Sequence, residues 1–300
     1  MGDLMSYAGD AVRGCIIAAP GHKLVVADLS NIEGRLLAWH AGEDWKLQAF
    51  RDYDAGTGHD LYKIGAGNIL GKKPEDVTKG ERQAMGKVPE LSLGYGGGHV
   101  AFRLMGAALG VFLPDDEAKD IVKRWRKTNS KIVQFWWQLD EAVREAILQP
   151  GVVTNAGRIK AHVQGNWLRL RLPSGRFLCY SAPAISEHPS FEGKTSVSYM
   201  GMDNYTRQWT RIHSYGPRFA ADVTQATARD VLAHNMHLIE DAGYPLILLV
   251  HDEAVTEPVD NPEYTSKRLE QLLAAQPFWA DDTLPLAAAG AEMYRYAKTD

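Results

Sequence analysis

The chain has 300 residues, 45% hydrophobic and 23% charged with 28 glycines, which excludes the disordered, collagen-like and coiled-coil classes. Its length suits about two domains, and 33 Lys plus Arg against 37 Asp plus Glu, a net charge of −4, excludes a wholly basic nucleic-acid coat while leaving room for basic patches. Cys15 and Cys179 form neither a thiolate metal pair nor a disulfide framework, and no apolar run approaches the ~20 residues of a membrane span, so a cytoplasmic protein with no membrane partner is expected.

From Lys23 the chain reads Lys-Leu-Val-Val-Ala-Asp, a buried strand delivering Asp28 to a sheet edge. Ser30-Asn31-Ile32-Glu33 then opens a helix with Ile32, Leu36 and Leu37 at helical spacing and Gly42 as its stop, and Ser30 with Glu33 fits a capping box. Residues 43 to about 150 read as mainly helical: Glu43 to Arg51, His59 to Leu70, a stretch around 78 to 105, and one long helix after Pro114. That last helix carries Asp115, Asp116 and Glu117 in its first turn, which suits the dipole. Lys123, Arg124, Arg126, Lys127 and Lys131 follow, either a solvated face or a surface for nucleic-acid phosphates.

Within the stretch from 78 to 105, spacing of four puts Lys87, Leu91 and Tyr95 on one helical face, as a triphosphate and base ladder or as an ordinary amphipathic helix. Pro89 removes a helical hydrogen bond and disfavours helical geometry at Val88, so a kink or fresh start is predicted near Gly86 to Pro89. From about Trp167 the pattern becomes alternating: Leu168, Leu170 and Leu172 interleave with Arg169 and Arg171, Pro173-Ser174-Gly175 turns the chain, and Arg176 to Tyr180 returns. Ser196 to Gly201 and Arg207 to Ser214 read as a second pair of strands, Pro217 to about Asp241 as a helix. Leu246 to Val250, His251-Asp252-Glu253 and Ala254 to Glu257 read as strand, acidic turn and return strand. The expected fold class is α+β, a helical insertion between pieces of an antiparallel sheet.

Carboxylates at strand ends hold hard divalent cations, and two such ions can clamp the attacking and leaving oxygens of a phosphoryl displacement. Asp28 and Asp252 are a minimal pair of this kind, although an acid after an apolar strand is equally a turn residue. Asp222, Gln225 and Arg229 share one side of their helix, either solvated or facing a duplex.

Taken in order, Asp28-Leu29-Ser30-Asn31-Ile32-Glu33-Gly34-Arg35, Lys87 through Gly96, Gln225 with Thr227 and Asp230, and Val250-His251-Asp252-Glu253 resemble the polymerase core of family A DNA polymerases, bacteriophage members most of all. The resemblance implies a palm of residues 1–42 and 151–300, a fingers insertion of 43–150, and template-directed addition of deoxynucleotides to a primer 3′-hydroxyl. It implies Asp28, Asp252 and Glu253 as catalytic, with Asp28 and Asp252 holding two Mg²⁺ ions. Glu33, Arg82, Lys87, Leu91 and Tyr95 would meet the deoxynucleoside triphosphate, Glu33 as the gate against a ribose 2′-hydroxyl. Arg176, Gln225, Arg229 and His251 would contact primer-template DNA.

Four departures qualify the match. Arg82 lies five residues before Lys87 instead of four, about 140° away on a regular helix. Leu91 replaces an aromatic residue, and Gly34 replaces a larger apolar one. Only 27 residues precede Asp28, so thumb and exonuclease domains are expected to be absent from this chain. Two explanations compete: a separate N-terminal polypeptide supplies them, as in a split phage polymerase acting in an infected cell, or the chain is a truncated piece of a longer polymerase; the split is the expected arrangement. The alternative is a non-catalytic or partner-dependent nucleic-acid-binding subunit of a replication complex.

Overall fold

The computed structural model describes residues 11–188 and 191–297. The outermost ends of the ranges 1–42 and 151–300 therefore lie outside the described residues. Strand β1, Leu24–Leu29, is buried at every position except Asp28. Asn31 then takes a left-handed backbone (φ +51°), helix α1 runs over Ile32–Ala41, and Gly42 (φ +68°) ends it. Helix α2 spans Asp44–Asp54. Helix α3 spans Leu61–Leu70, where the Asp60 carboxylate caps the free N–H groups of Tyr62 and Lys63 and Gly71 (φ +69°) closes the end.

The predicted irregularity is present. Thr78 and Glu81 form a reciprocal capping box that starts a single turn, Lys79–Glu81, after which Arg82–Lys87 is π-helical. Helix α4, Val88–Leu93, follows with Pro89 in its first turn, where proline's missing N–H costs nothing. Helix α5 is His99–Ala108.

The single long helix expected after Pro114 is two helices, α6 (Asp115–Thr128) and α7 (Ser130–Leu148). The buried Asn129 between them leaves helical geometry (φ −108°, ψ 47°) and donates its side-chain amide to the Trp125 carbonyl. Lys131 therefore belongs to a different helix from the other basic residues. The α7 start is capped by Glu43, whose carboxylate accepts from the Lys131 and Ile132 N–H groups at 2.9 and 3.2 Å.

Strands β2 (Thr154–Ala156), β3 (Ile159–Gln164), β4 (Trp167–Arg171), β5 (Phe177–Glu187), β6 (Thr195–Met202) and β7 (Trp209–Ser214) form an antiparallel sheet in sequence order. Helix α8 is Gly216–Asp241; β8 (Leu246–Val250), β9 (Glu253–Thr256), helix α9 (Ser266–Leu273) and β10 (Ala288–Met293) complete the chain. The first strand pair, α9 and β10 were not among the expected elements.

The chain divides into two compact units, residues 1–32 with 228–300 and residues 33–227. In the first, an antiparallel sheet has the order β10-β1-β9-β8, with a core of Leu24, Val26, Val255 and Tyr296. In the second, the helices cover one face of the β2–β7 sheet. Its core joins Val88, Phe102, Trp125, Phe135 and Trp136 to Leu168, Leu170 and Val197. At about 25 cal/mol per Å² this apolar burial is the main term holding each unit together.

Candidate active site

The acidic cluster is built in the four-stranded sheet. β1 and β9 pair so that Asp28 stands opposite Glu253, and the Leu29 N–H donates to the Asp252 carbonyl at 3.3 Å. Val250 and Glu253 close the β8–β9 turn, and His251 takes a left-handed backbone (φ +57°) between them. A non-glycine residue there is strained, and such strain gathers at functional turns. The turn presents Asp252 to Asp28 and leaves the His251 side chain exposed.

Partial removal from water, then the charge and hydrogen bond of Asp252 and the charge of Glu253, push the Asp28 carboxyl up to about 7. Two carboxyls so close resist ionising together, and a shared proton or a cation relieves them. Glu253 accepts from the Tyr296 hydroxyl, whose pKa is pushed up to about 12 by burial and by that bond and charge. Tyr296 was not singled out in the sequence. Among the described residues no cluster of three or more His, Cys, Asp or Glu forms an all-protein metal cage. Asp28 and Asp252 nevertheless suit Mg²⁺, which is held by one or two carboxylates and completed by substrate phosphates.

The second cluster lies in the unit 33–227. Glu33 accepts from the Tyr95 hydroxyl at 2.9 Å and from the Gln225 amide at 3.4 Å. Burial, then the Glu33 charge and hydrogen bond, push the Tyr95 phenol well above its usual range, so it stays a neutral donor. Asn31 is left-handed and Ile32 is the first helical residue, which puts Glu33 at the second helical position.

The π segment bears on the spacing of Arg82 and Lys87. A turn bonded i to i+5, as Val88 N–H to the Gln83 carbonyl, brings residues five apart much closer to one face than an α-helix does. Gly86 is needed there, because a Cβ would stand 2.0 Å from the Tyr62 carbonyl oxygen of α3. Arg82 itself is engaged: its Nε lies 3.1 Å from both Asp60 oxygens and its guanidinium 5.0 Å from the Tyr62 ring centre. Lys87 makes no ion pair among the described residues, and Leu91 is exposed on α4. Tyr95 lies beyond the end of α4, so the ladder of four-residue steps holds only for Lys87 and Leu91.

Arg176 donates to the Ala226 carbonyl of α8 at 2.6 Å, while Gln225 and Arg229 are exposed one turn apart on that helix. Asp222 turns to the sheet and accepts from Tyr180 at 2.8 Å, and Thr227 is buried against His40 at 3.0 Å. Both are structural contacts. Asp60, which fixes Arg82, was not singled out in the sequence; its position just before an apolar helical run signals only a cap.

Residues 4–278 match the model of the DNA polymerase family A. The chain belongs to that family. Among family A relatives, it is 35% identical over 280 residues to the DNA polymerase of Bacillus phage SP02, covering 93% of this chain and 42% of the phage protein. It is 31% identical over 145 residues to DNA polymerase I of Aquifex aeolicus, covering 47% of this chain and 23% of that protein. The POL domain of Pol1 from M. smegmatis, solved in complex with DNA primer-template and dNTP, shares the fold over 98% of this chain and 43% of its own, at TM-score 0.61 and 19% identity. The chain thus spans about two fifths of the phage relative's length. No helix among the described residues is long and apolar enough to cross a membrane.

Proposed function

We propose that this chain carries the catalytic core of a template-directed DNA polymerase, adding deoxynucleotides to a primer 3′-hydroxyl. The observation that carries the reading is the meeting of the Asp28 and Asp252 carboxyls, Asp28 on β1 opposite Glu253 and Asp252 in the turn just before it, in a chain of family A. Asp28 and Asp252 would hold two Mg²⁺, which supply the lowered pKa of the primer hydroxyl and the charge that receives departing pyrophosphate. Glu253 acts through Tyr296, holding the β9 end of the acidic pair in place. Lys87, with no ion pair among the described residues, would offer its ammonium to the triphosphate, and Arg82 would join it on exchanging Asp60 for phosphate. Glu33, braced by Tyr95 and Gln225, would act as the gate against a ribose 2′-hydroxyl. Arg176, Gln225, Arg229 and His251 are assigned to template and primer. Residues 43–150 serve as fingers, and 1–42 with 151–300 as palm.

The test is extension of a primed DNA template by the purified chain with Mg²⁺, using Asp252→Asn as the control. Deoxynucleotide addition lost in the variant supports the proposal. In the split arrangement a polypeptide homologous to the N-terminal part of the phage relative would raise extension when added. No extension in either condition would leave the accessory-subunit reading.

A further inference from the structure

The face of the β2–β7 sheet turned away from the helices carries chemistry that the proposed active site does not use. Side chains alternate along a strand, and the opposite face holds the buried Ile159, Ala161, Leu168, Leu170 and Tyr180. On the outer face Lys160 stands opposite Arg171, which stands opposite Phe177. In the next row His162, Arg169 and Cys179 are opposed in the same way. In the third, Trp167 and Arg211 flank Ser181 and Met200. No Asp or Glu occupies these rows.

Lys160, Arg171 and Arg211 are exposed and form no ion pair among the described residues. Arg169 donates to Gln164 at 2.7 Å and keeps a buried Nε without a partner. Cations directly opposite one another across strands destabilise a sheet, so Lys160 facing Arg171 calls for a counter-charge from outside. Trp167 and Phe177, 42% and 41% exposed, stand among these cations. Cations interleaved with aromatic faces suit a chain of phosphates bearing unstacked bases, whereas a duplex hides its base faces.

We propose that this face binds single-stranded DNA, with phosphates on Lys160, Arg169, Arg171 and Arg211 and bases against Trp167 and Phe177. The choice of DNA rests on the polymerase reading; the platform itself rests on the sheet. Cys179, exposed in the middle row, is a built-in reporter, and the exposed Cys15 is its internal reference. Oligodeoxythymidylate is expected to slow maleimide alkylation of Cys179 at least fivefold and leave Cys15 unchanged. The double variant Lys160→Ala/Arg171→Ala should bind the oligonucleotide at least tenfold more weakly and lose the protection. Equal protection by polyglutamate or by duplex DNA would overturn the proposal. Primer extension by the native chain without Cys179 protection would overturn it and leave the polymerase reading standing. Protection without extension, with or without an added partner, would sustain the platform and count against that reading.

Discussion

Tyr95 and Glu33, 62 positions apart, share a 2.9 Å hydrogen bond in which the phenol donates and the carboxylate accepts. The second oxygen of Glu33 receives the amide of Gln225, 192 positions away. An exposed carboxylate held from two sides keeps one rotamer, and a steric gate requires that fixity.

Glu33→Ala is expected to lower the ratio of kcat/KM for deoxynucleotide over ribonucleotide at least tenfold, about 1.4 kcal/mol of discrimination. Tyr95→Phe removes one brace and should give a smaller loss in the same direction. Single-nucleotide incorporation with matched deoxy and ribo substrates measures both.

Gly86→Ala should destabilise the chain by about 1–3 kcal/mol, because the new methyl meets the Tyr62 carbonyl oxygen and forces the π segment away from α3. Gly80 has nothing within 4 Å of its ideal Cβ. Gly80→Ala should therefore be neutral or stabilising by up to ~1 kcal/mol. Thermal melts of the two variants separate the clash from a general effect of losing glycine.

Lys46 is 1% exposed and paired with Glu90, with its ammonium 5.3 Å from the Trp125 ring centre. Glu90→Gln strips the counter-charge from a buried ammonium and is expected to cost about 3–5 kcal/mol. Lys46→Met/Glu90→Leu should recover much of that loss, since an apolar pair leaves no buried charge. Urea unfolding of the single and double variants checks the order.

His40 is buried against Phe135, and burial, then the Arg158 charge, push its imidazole down to about 3. The unfolded chain binds this proton below about 6.5 and the folded chain does not, so stability is present above that value and falls as the pH drops toward 3. The slope reaches about 1.4 kcal/mol per pH unit for one proton. His40→Gln should flatten the decline between pH 6.5 and 5, measured by denaturant unfolding at each pH.

The elements that announced themselves did so locally. β1 is a run of apolar residues ending in an acid, the β8–β9 turn puts an acid after Leu246 to Val250, and Pro89 after Gly86 signalled the break in the helix. β10, with its run of alanines and a glycine, carries no β-branched residue and gave no strand pattern. The contacts of Glu33 with Tyr95 and Gln225, and of Arg82 with Asp60, depend on packing between distant segments, which periodicity does not encode. The break at Asn129 had a visible signal in Thr128-Asn129-Ser130, since such residues favour caps and turns, but the apolar period continues across it.

The pairing of β1 has a consequence for the order in which the chain can mature. Lys23, just before β1, reaches Glu292 on β10, 269 positions later. The β2–β7 meander joins neighbours in sequence and closes quickly, whereas contacts of such long separation close late. During synthesis β1 leaves the ribosome early and its edges wait for the last strands to emerge. Asp28 and Asp252 therefore meet only after most of the chain has been made, and a nascent polypeptide lacks the acidic pair until its final stage of folding.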